Sequence, residues 1–420
     1  MRHTRRRIVL TTFGSLGDLH PYLAVALGLR ARGHDAVIAT GECYRPKVEA
    51  LGLGFRAVRP DCDWVSDPEV MRRMSHSRWG LIRVLREIAL PTLKETYEDM
   101  LAALRDADLL VSNQGVLAGR LAAEKLEVPW VSAMHIPLLL YSSYDPPVLP
   151  ISPGISKRLR RLGPTFWKPF ASLVRSTTAV WARPLHWLRA EIGLSRVPEK
   201  NPLVDGYSPA LHLALFSKHI AAKQRDWPAQ AVVTGFPWFD PEASLPDELA
   251  QFLDAGPPPI VFTIGTALSA DAGEFFERSI AAAQLLGRRA VLVTNAPSKS
   301  LKSLPESIAI CDYAPFTALF PRAAAIVHHG GIGTTALAMR SGRPMLVMPC
   351  AWDQPDNAER AARLGIARII PRHRYTSARA AELQRLLGTP SYSRRAAEVA
   401  ELVQQEDGVR SACDALEALL

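Results

Sequence analysis

A chain of 420 residues that is 48% hydrophobic and 22% charged carries enough apolar material for two or three packed domains and is neither disordered nor of low complexity. Its net charge of +9 and pI near 9.5 suit an anionic ligand, a nucleic acid or an anionic membrane surface, and equally a plain abundance of arginine, so charge alone assigns no function. The five cysteines, Cys43, Cys62, Cys311, Cys350 and Cys413, are scattered, show no CxxC or Cys/His spacing for zinc or an iron cluster, and read as reduced thiols of a cytoplasmic protein.

Along the chain, the basic start is followed by an apolar run too short for a signal peptide and lacking a cleavage site, so no secretion is expected. "RIVLTT" reads as a first strand, Pro21 to Ala31 as a helix ended by Gly33, and "DAVIAT" as a second strand; "DLLVSN" and "VPWVSAM" continue the sheet. "VPWVSAMHIPLLLYSSY" is the longest apolar stretch, but Pro129, His135 and Pro137 interrupt it, and no membrane span is expected. The residues from Ser156 to Ala190 hold eight cations, no acid, and Trp167, Trp181 and Trp187. That composition suits an anionic membrane surface or a lipid-like acceptor, or else an amphipathic helix with its tryptophans turned inward. Prolines at 237, 241, 246 and 257 to 259 mark a domain junction. A second series then begins with "PIVFTIGT" and runs through a helix at about 274–286, "AVLVTN", "SIAIC", "AAIVHHGG", "RPMLVMP" and "ARII", before a helical tail. Strands alternating with helices in both halves predict an α/β protein built on parallel sheets. The expected boundaries are a first domain at 1–238, a linker at 239–258, a second domain at 259–400 and a terminal helix at 401–420.

In "AAIVHHGGIGTTALAMRSG" a strand ends at the histidines, a glycine turn follows, and a helix begins near Thr334. A helix N-terminus offers unpaired N–H groups and positive dipole charge, and glycines let a ligand approach the backbone, so this is a seat for phosphate. It lacks the lysine of a GxxxxGK[ST] loop. His329 adds a donor. Asp353 and Gln354 follow the next strand, at the edge where open α/β sheets bind ligands, and a carboxylate beside a carboxamide suits a polyol. A diphosphate seat with a sugar reader beside it describes a nucleotide-sugar site.

"VHHGGIGTTALAMRSGRPMLVMPCAWDQPDNA" resembles the donor motif of family 1 glycosyltransferases, the GT-B enzymes that include sterol and antibiotic glycosyltransferases, and "GSLGDLHP" resembles their GSxGDxxP loop. "DWPAQAVVTGFPWFD" is similar to the run before the linker, especially in the rhamnosyltransferase of rhamnolipid synthesis. The resemblance implies two Rossmann-like domains facing each other across a cleft, acceptor site in the first and donor site in the second, with the terminal helix crossing back onto the first domain. It implies that His329, Gly331, Gly333 and Thr334 hold the diphosphate, with Thr266 as a further contact, that Asp353 and Gln354 read the sugar, and that Tyr313 stands where many relatives have a tryptophan against the base. Phe316 departs from the glutamine of plant members. The proton acceptor would be Asp18, with His20 as rival; Ser15 and His135 would line the acceptor pocket.

Simpler readings stand beside these. Asp18 can cap the first helix, His328 and Asn357 are assigned to packing, and the Asp-x-Asp patterns at Asp61–Asp63 and Asp106–Asp108 are assigned to structure. Gly14 and Gly17 make only an incomplete dinucleotide fingerprint. The expectation is an inverting, metal-independent glycosyltransferase that moves a hexose or deoxyhexose from a UDP- or dTDP-sugar, its co-substrate, to a hydroxyl of a lipophilic acceptor. It would need no cofactor, bind no nucleic acid, and lie in the cytoplasm with peripheral membrane contact through 156–190. The alternatives are a GT-B-like nucleotide-sugar epimerase and a noncatalytic sugar-nucleotide-binding partner subunit.

Overall fold

The computed structural model describes residues 5–61, 63–239, 244–265, 274–294, 304–375 and 380–420. Seven parallel strands form the first sheet: β1 (Arg7–Thr11), β2 (Asp35–Thr40), β3 (Gly54–Ala57), β4 (Leu109–Asn113), β5 (Trp130–Met134), β6 (His212–Ala214) and β7 (Ala231–Val233), in the order β3-β2-β1-β4-β5-β6-β7. Six parallel strands form the second: β8 (Ile260–Thr263), β9 (Ala290–Val293), β10 (Ile308–Cys311), β11 (Ala325–His328), β12 (Met345–Val347) and β13 (Ala367–Ile369), in the order β10-β9-β8-β11-β12-β13. Each order reverses beside its first strand, between β1 and β4 and between β8 and β11. Such a switch point opens a crevice at the carboxyl edge of the sheet. The central strands are buried on both faces, as parallel strands covered by helices on each side must be.

The first helix spans Leu16–Ala31 and so begins five residues before the Pro21 start expected from the sequence. Asp18 stands at its third position and accepts from the backbone N–H of Ser15 at 2.7 Å, which satisfies an end donor and draws the "SLGD" segment into the helix. Pro21 is carried inside, where its missing N–H would have bonded the carbonyl of exposed Gly17. The helix after the glycine turn likewise starts at Ile332, not Thr334, and runs to Ser341.

One apolar cluster crosses between the halves, joining Leu140, Phe216, Ile220, Trp227 and Phe236 to Leu319, Phe320, Ile332 and Val399. The helix Asp247–Asp254, inside the proline-marked linker, adds Leu249 and Leu253 to that cluster. Two helices end the chain. Pro390–Gln404 packs on Ile332–Ser341, and Gly408–Glu417 lies on the first domain against Leu16–Ala31. Arg32 reaches Asp414 and Glu417 at 2.6 Å each, and His34 meets Glu417 at 3.0 Å.

Cys43 is disulfide-bonded, which corrects the reading of all five cysteines as reduced thiols; Cys311 and Cys413 are free thiols. Spacing along the chain carries no signal for a pairing made by the fold. Of the Asp-x-Asp patterns, Asp106 and Asp108 are held by Arg7 and Arg6 at the start of β1, and Asp61–Asp63 falls partly outside the described residues.

The docking of the last helix needs Gly28, because a β-carbon there would lie 2.4 Å from Val409 Cγ1 and 3.0 Å from Cys413 Sγ. Gly28→Val is expected to lower stability by about 1–3 kcal/mol through overpacking. Urea unfolding measures it, and an unchanged midpoint would show that this contact does not hold the helix.

Candidate functional site

Between the two carboxyl edges the structure gathers residues from four loops. In the first half, the chain leaves β1 through Gly14, whose φ of +122° places its α-carbon where a side chain would strike the Asp18 carboxylate at 2.5 Å. Tyr44 donates to the Gly14 carbonyl at 2.7 Å and steadies the turn. Asp18 then uses both oxygens. Oδ2 accepts from Ser15 N and from Ser15 Oγ at 2.8 Å, and Oδ1 meets His135 Nε2 at 3.0 Å. Burial alone would push this carboxyl up, but the bond and charge of His135 with the two Ser15 bonds outweigh it and hold Asp18 below its ordinary value. His135 is buried just after β5, and its Nδ1 has no partner among the described residues.

His20 does not join this group. It stands two residues after Asp18, on the opposite side of the helix, its ring centroid 4.7 Å from that of Phe239. Burial, with Lys47 adding, pushes it down to about 4. Ser15, expected to face the acceptor, instead spends its hydroxyl on Asp18.

In the second half, His328 is packed away. Its Nδ1 accepts from Gly330 N at 3.1 Å and its Nε2 lies 3.3 Å from Met345 Sδ, and burial holds its pKa at about 3. His329 turns the other way, between two glycines: a β-carbon on Gly265 or on Gly331 would come within 2.5 Å of its ring. Burial pushes His329 down to about 4, so its ring is neutral, and its buried Nδ1 has no partner among the described residues. Buried polar atoms are ordinarily hydrogen-bonded, so this nitrogen is free to meet a ligand. Gly331 precedes the helix Ile332–Ser341, whose first free N–H groups belong to Ile332, Gly333 and Thr334; Thr335 N already bonds Gly331 O at 2.9 Å. Thr266 lies outside the described residues. Tyr313 is 64% exposed beyond β10, and Phe316 stacks on Phe320.

Asp353 and Gln354 sit at the start of the helix Gln354–Arg363. Asp353 is buried and accepts from Asn357 Nδ2 at 2.6 Å, and Asn357 also donates to Gly330 O at 2.9 Å, so Asn357 ties the Asp353 carboxylate to the glycine turn. Burial pushes Asp353 up to about 6; Asn357 opposes, Asp18 adds to the rise and His135 opposes it. Asp353 thus feels the two residues from the other domain. Gln354 gives its oxygen to the N–H groups of Cys350 and Ala351 at 2.8 and 2.9 Å, which leaves its NH2 as the group able to meet a ligand.

Sequence reasoning missed what holds this helix against the first domain. Trp352 adopts a φ of +53°, a strained value for a bulky residue, and donates its indole N–H to Met74 O at 3.0 Å. Asp356 accepts from Val148 N at 2.8 Å and from Arg360 Nε at 2.6 Å; Arg360 continues to Asp145 at 2.6 Å, where Arg160 at 2.6 Å and Arg363 at 2.9 Å also arrive. Burial works against the Arg360 charge, but Asp356 and Asp145 outweigh it. In the sequence these residues look like an ordinary polar helix face, and only the other domain makes them buried.

Two outcomes follow from these charges. A carboxyl whose folded pKa lies above its unfolded value stabilises the fold in its protonated form, and that contribution is lost as pH rises through about 6 for Asp353. Asp353→Asn is therefore expected to gain about 1–3 kcal/mol at neutral pH, the gain vanishing toward about pH 4. Urea unfolding across that range checks it, and a loss of stability at neutral pH would contradict it. Arg360→Met leaves Asp145 and Asp356 short of their buried counter-ion and should cost about 3–5 kcal/mol. A melting temperature within a degree or so of the parent would show that the network is not a structural tie.

Residues 8–137 match the model of the glycosyltransferase family 28 N-terminal domain, and residues 281–415 that of the erythromycin biosynthesis protein CIII-like C-terminal domain. The chain is 33% identical to O-mycaminosyltylonolide 6-deoxyallosyltransferase of Streptomyces fradiae, over 98% of this chain and 97% of that protein. It is 32% identical to glycosyltransferase GtfE of Amycolatopsis orientalis, over 86% and 85%. Its fold is that of the glycosyltransferase VinC, solved in complex with dTDP, with a TM-score of 0.69, 21% identity and 98% of each chain covered. With two parallel sheets facing across one cleft and matches along nearly its whole length, the chain belongs to the GT-B glycosyltransferases, in the branch that includes the antibiotic glycosyltransferases.

Proposed function

We propose that this protein is an inverting, metal-independent glycosyltransferase that moves a hexose or deoxyhexose from a UDP- or dTDP-sugar to a hydroxyl of a lipophilic acceptor, in the cytoplasm. The observation that carries this reading is the juxtaposition of Asp18 and His135 with Asp353 across the cleft, beside the His329 Nδ1 at the glycine turn, unbonded among the described residues. The relative that transfers 6-deoxyallose to a mycaminosyltylonolide, and the neighbour that holds dTDP, support a deoxysugar donor on dTDP and a macrolide-like acceptor.

In this reading the diphosphate lies on the N–H groups of Ile332, Gly333 and Thr334, with His329 donating a further hydrogen bond. These dipoles are fixed before reaction and favour the charge that grows on the leaving group. Asp353 and the Gln354 amide hold sugar hydroxyls, and exposed Tyr313 supports the base. The acceptor hydroxyl attacks the anomeric carbon from the face opposite the diphosphate, the C–O bond to phosphate breaks with its electron pair leaving on the nucleoside diphosphate, and the hydroxyl proton passes to Asp18. A carboxyl held below its ordinary value is ionised throughout the neutral range but is a weak base. It takes the proton late, once the hydroxyl oxygen has become acidic by bonding to carbon. His135 keeps the carboxylate aimed. Asp18 is favoured over His20, whose ring is turned to Phe239.

Calorimetric titration with UDP, dTDP, ADP and NAD, without added metal, is expected to show binding of UDP or dTDP that weakens about tenfold or more in His329→Ala. With sterol and macrolide aglycones as acceptors, Asp18→Asn should lower kcat by at least about a hundredfold with donor KM little changed. NAD binding alone, or equal loss of donor affinity and turnover in Asp18→Asn, would sink the reading. A changed sugar nucleotide without any glycoside would indicate the epimerase instead.

A further inference from the structure

Between Asp145 and Glu191 the chain carries no acidic residue, and the fold sorts the cations of that stretch into two groups. Arg160 turns inward to Asp145, Lys157 meets Glu359 at 2.7 Å, Arg175 meets Asp205 at 2.9 Å and Arg189 pairs with Glu124 at 2.5 Å. Arg158, Arg161, Lys168 and Arg183 are exposed and have no ion pair among the described residues; Lys168 lies over the Tyr144 ring. The tryptophans divide as well. Trp167 is 1% exposed and donates to Leu159 O, Trp181 is half-buried with Arg86 over its ring, and Trp187 is 70% exposed.

The helices Pro153–Leu159, Gly163–Thr178 and Arg183–Glu191 follow one another with only short turns between. Leu173, Val180 and Trp187, spaced by seven, are exposed by 61%, 45% and 70%, and Arg183 stands three and four residues from the last two. Ile155 and Leu162 continue the apolar exposure at 61% and 52%. Beside them an open groove of about 420 Å³ is lined by Ile151, Pro153 and Ile155 together with Arg78 and Arg158. Isolated large apolar side chains among uncompensated cations do not match the dry core of a protein interface, which is depleted in charge. They match a surface that is oily beneath and negative at its rim.

We propose that this face, from Ile151 to Trp187, docks on an anionic lipid bilayer, with Leu173, Val180 and Trp187 entering the headgroup boundary and Arg158, Arg161 and Arg183 meeting lipid phosphates. The surface stands independently of the donor site. It extends the proposed function by stating where a lipophilic acceptor is met.

The test is sedimentation of the full chain with vesicles of phosphatidylcholine alone and of phosphatidylcholine with phosphatidylglycerol. Binding is expected to the anionic vesicles, weakened by salt. The double variants Leu173→Ser with Trp187→Ser, and Arg158→Glu with Arg161→Glu, should each partition at least about tenfold more weakly, with melting temperature and nucleotide titration unchanged. Lys218→Glu with Arg225→Glu, exposed cations elsewhere on the first half, should partition like the parent. Failure to bind anionic vesicles would overturn the proposal, as would equal weakening by the control pair, or lipid-free dimerisation abolished by Trp187→Ser. Vesicle binding without nucleotide binding would leave this surface standing and sink the transferase reading.

Discussion

A guanidinium almost wholly removed from water, that of Arg360, sets the terms for the cleft. An unpaired charge at such depth would cost several kcal/mol, so the fold is bound to bring it carboxylates. Asp356 comes from its own helix, and Asp145 comes from the other domain. Because the second partner lies across the cleft, the relative placement of the domains and the position of the helix Gln354–Arg363 become one constraint. The apolar cluster shared by the halves supplies adhesion without direction, and the ionic network adds register.

The same helix begins with Asp353 and Gln354, so its register against the first domain decides where these two side chains stand relative to Asp18. Trp352 makes the connection again from a strained backbone position, reaching Met74 with its indole N–H. Strain of this kind persists where the surroundings over-determine it, and here both neighbours of the strained residue are fixed, Ala351 through Gln354 and Asp353 through Asn357.

Within that frame the two acids of the cleft are pushed apart in acidity. Asp18, which accepts three hydrogen bonds, stays a carboxylate, whereas Asp353, with Asn357 as its side-chain donor, is raised by burial.

 The three bonds to Asp18 come from Ser15 N, Ser15 Oγ and His135 Nε2, and they favour the charged form. A carboxylate held ionised thus shares the cleft with a carboxyl raised to about 6, and neither property belongs to its residue type alone.

Much of this architecture is legible in the residues themselves. Alternating apolar runs and amphipathic stretches determine two parallel sheets, because strand and helix periods depend on local patterning, and the prolines near 240 and 257 mark the joint between them. The glycine turn after "VHH" and the helix that follows it are legible because glycine spacing and helix starts are local facts. What only the tertiary structure decided are the properties that need a second segment: the partnership of Asp18 with His135, 117 residues away, the ion pair of Arg360 with Asp145, and the exposure of Trp187 beside the burial of Trp167. Burial and pairing are relations between distant parts of a chain, and a linear pattern records the side chains but not the neighbours that change their charge, their acidity or their access to water.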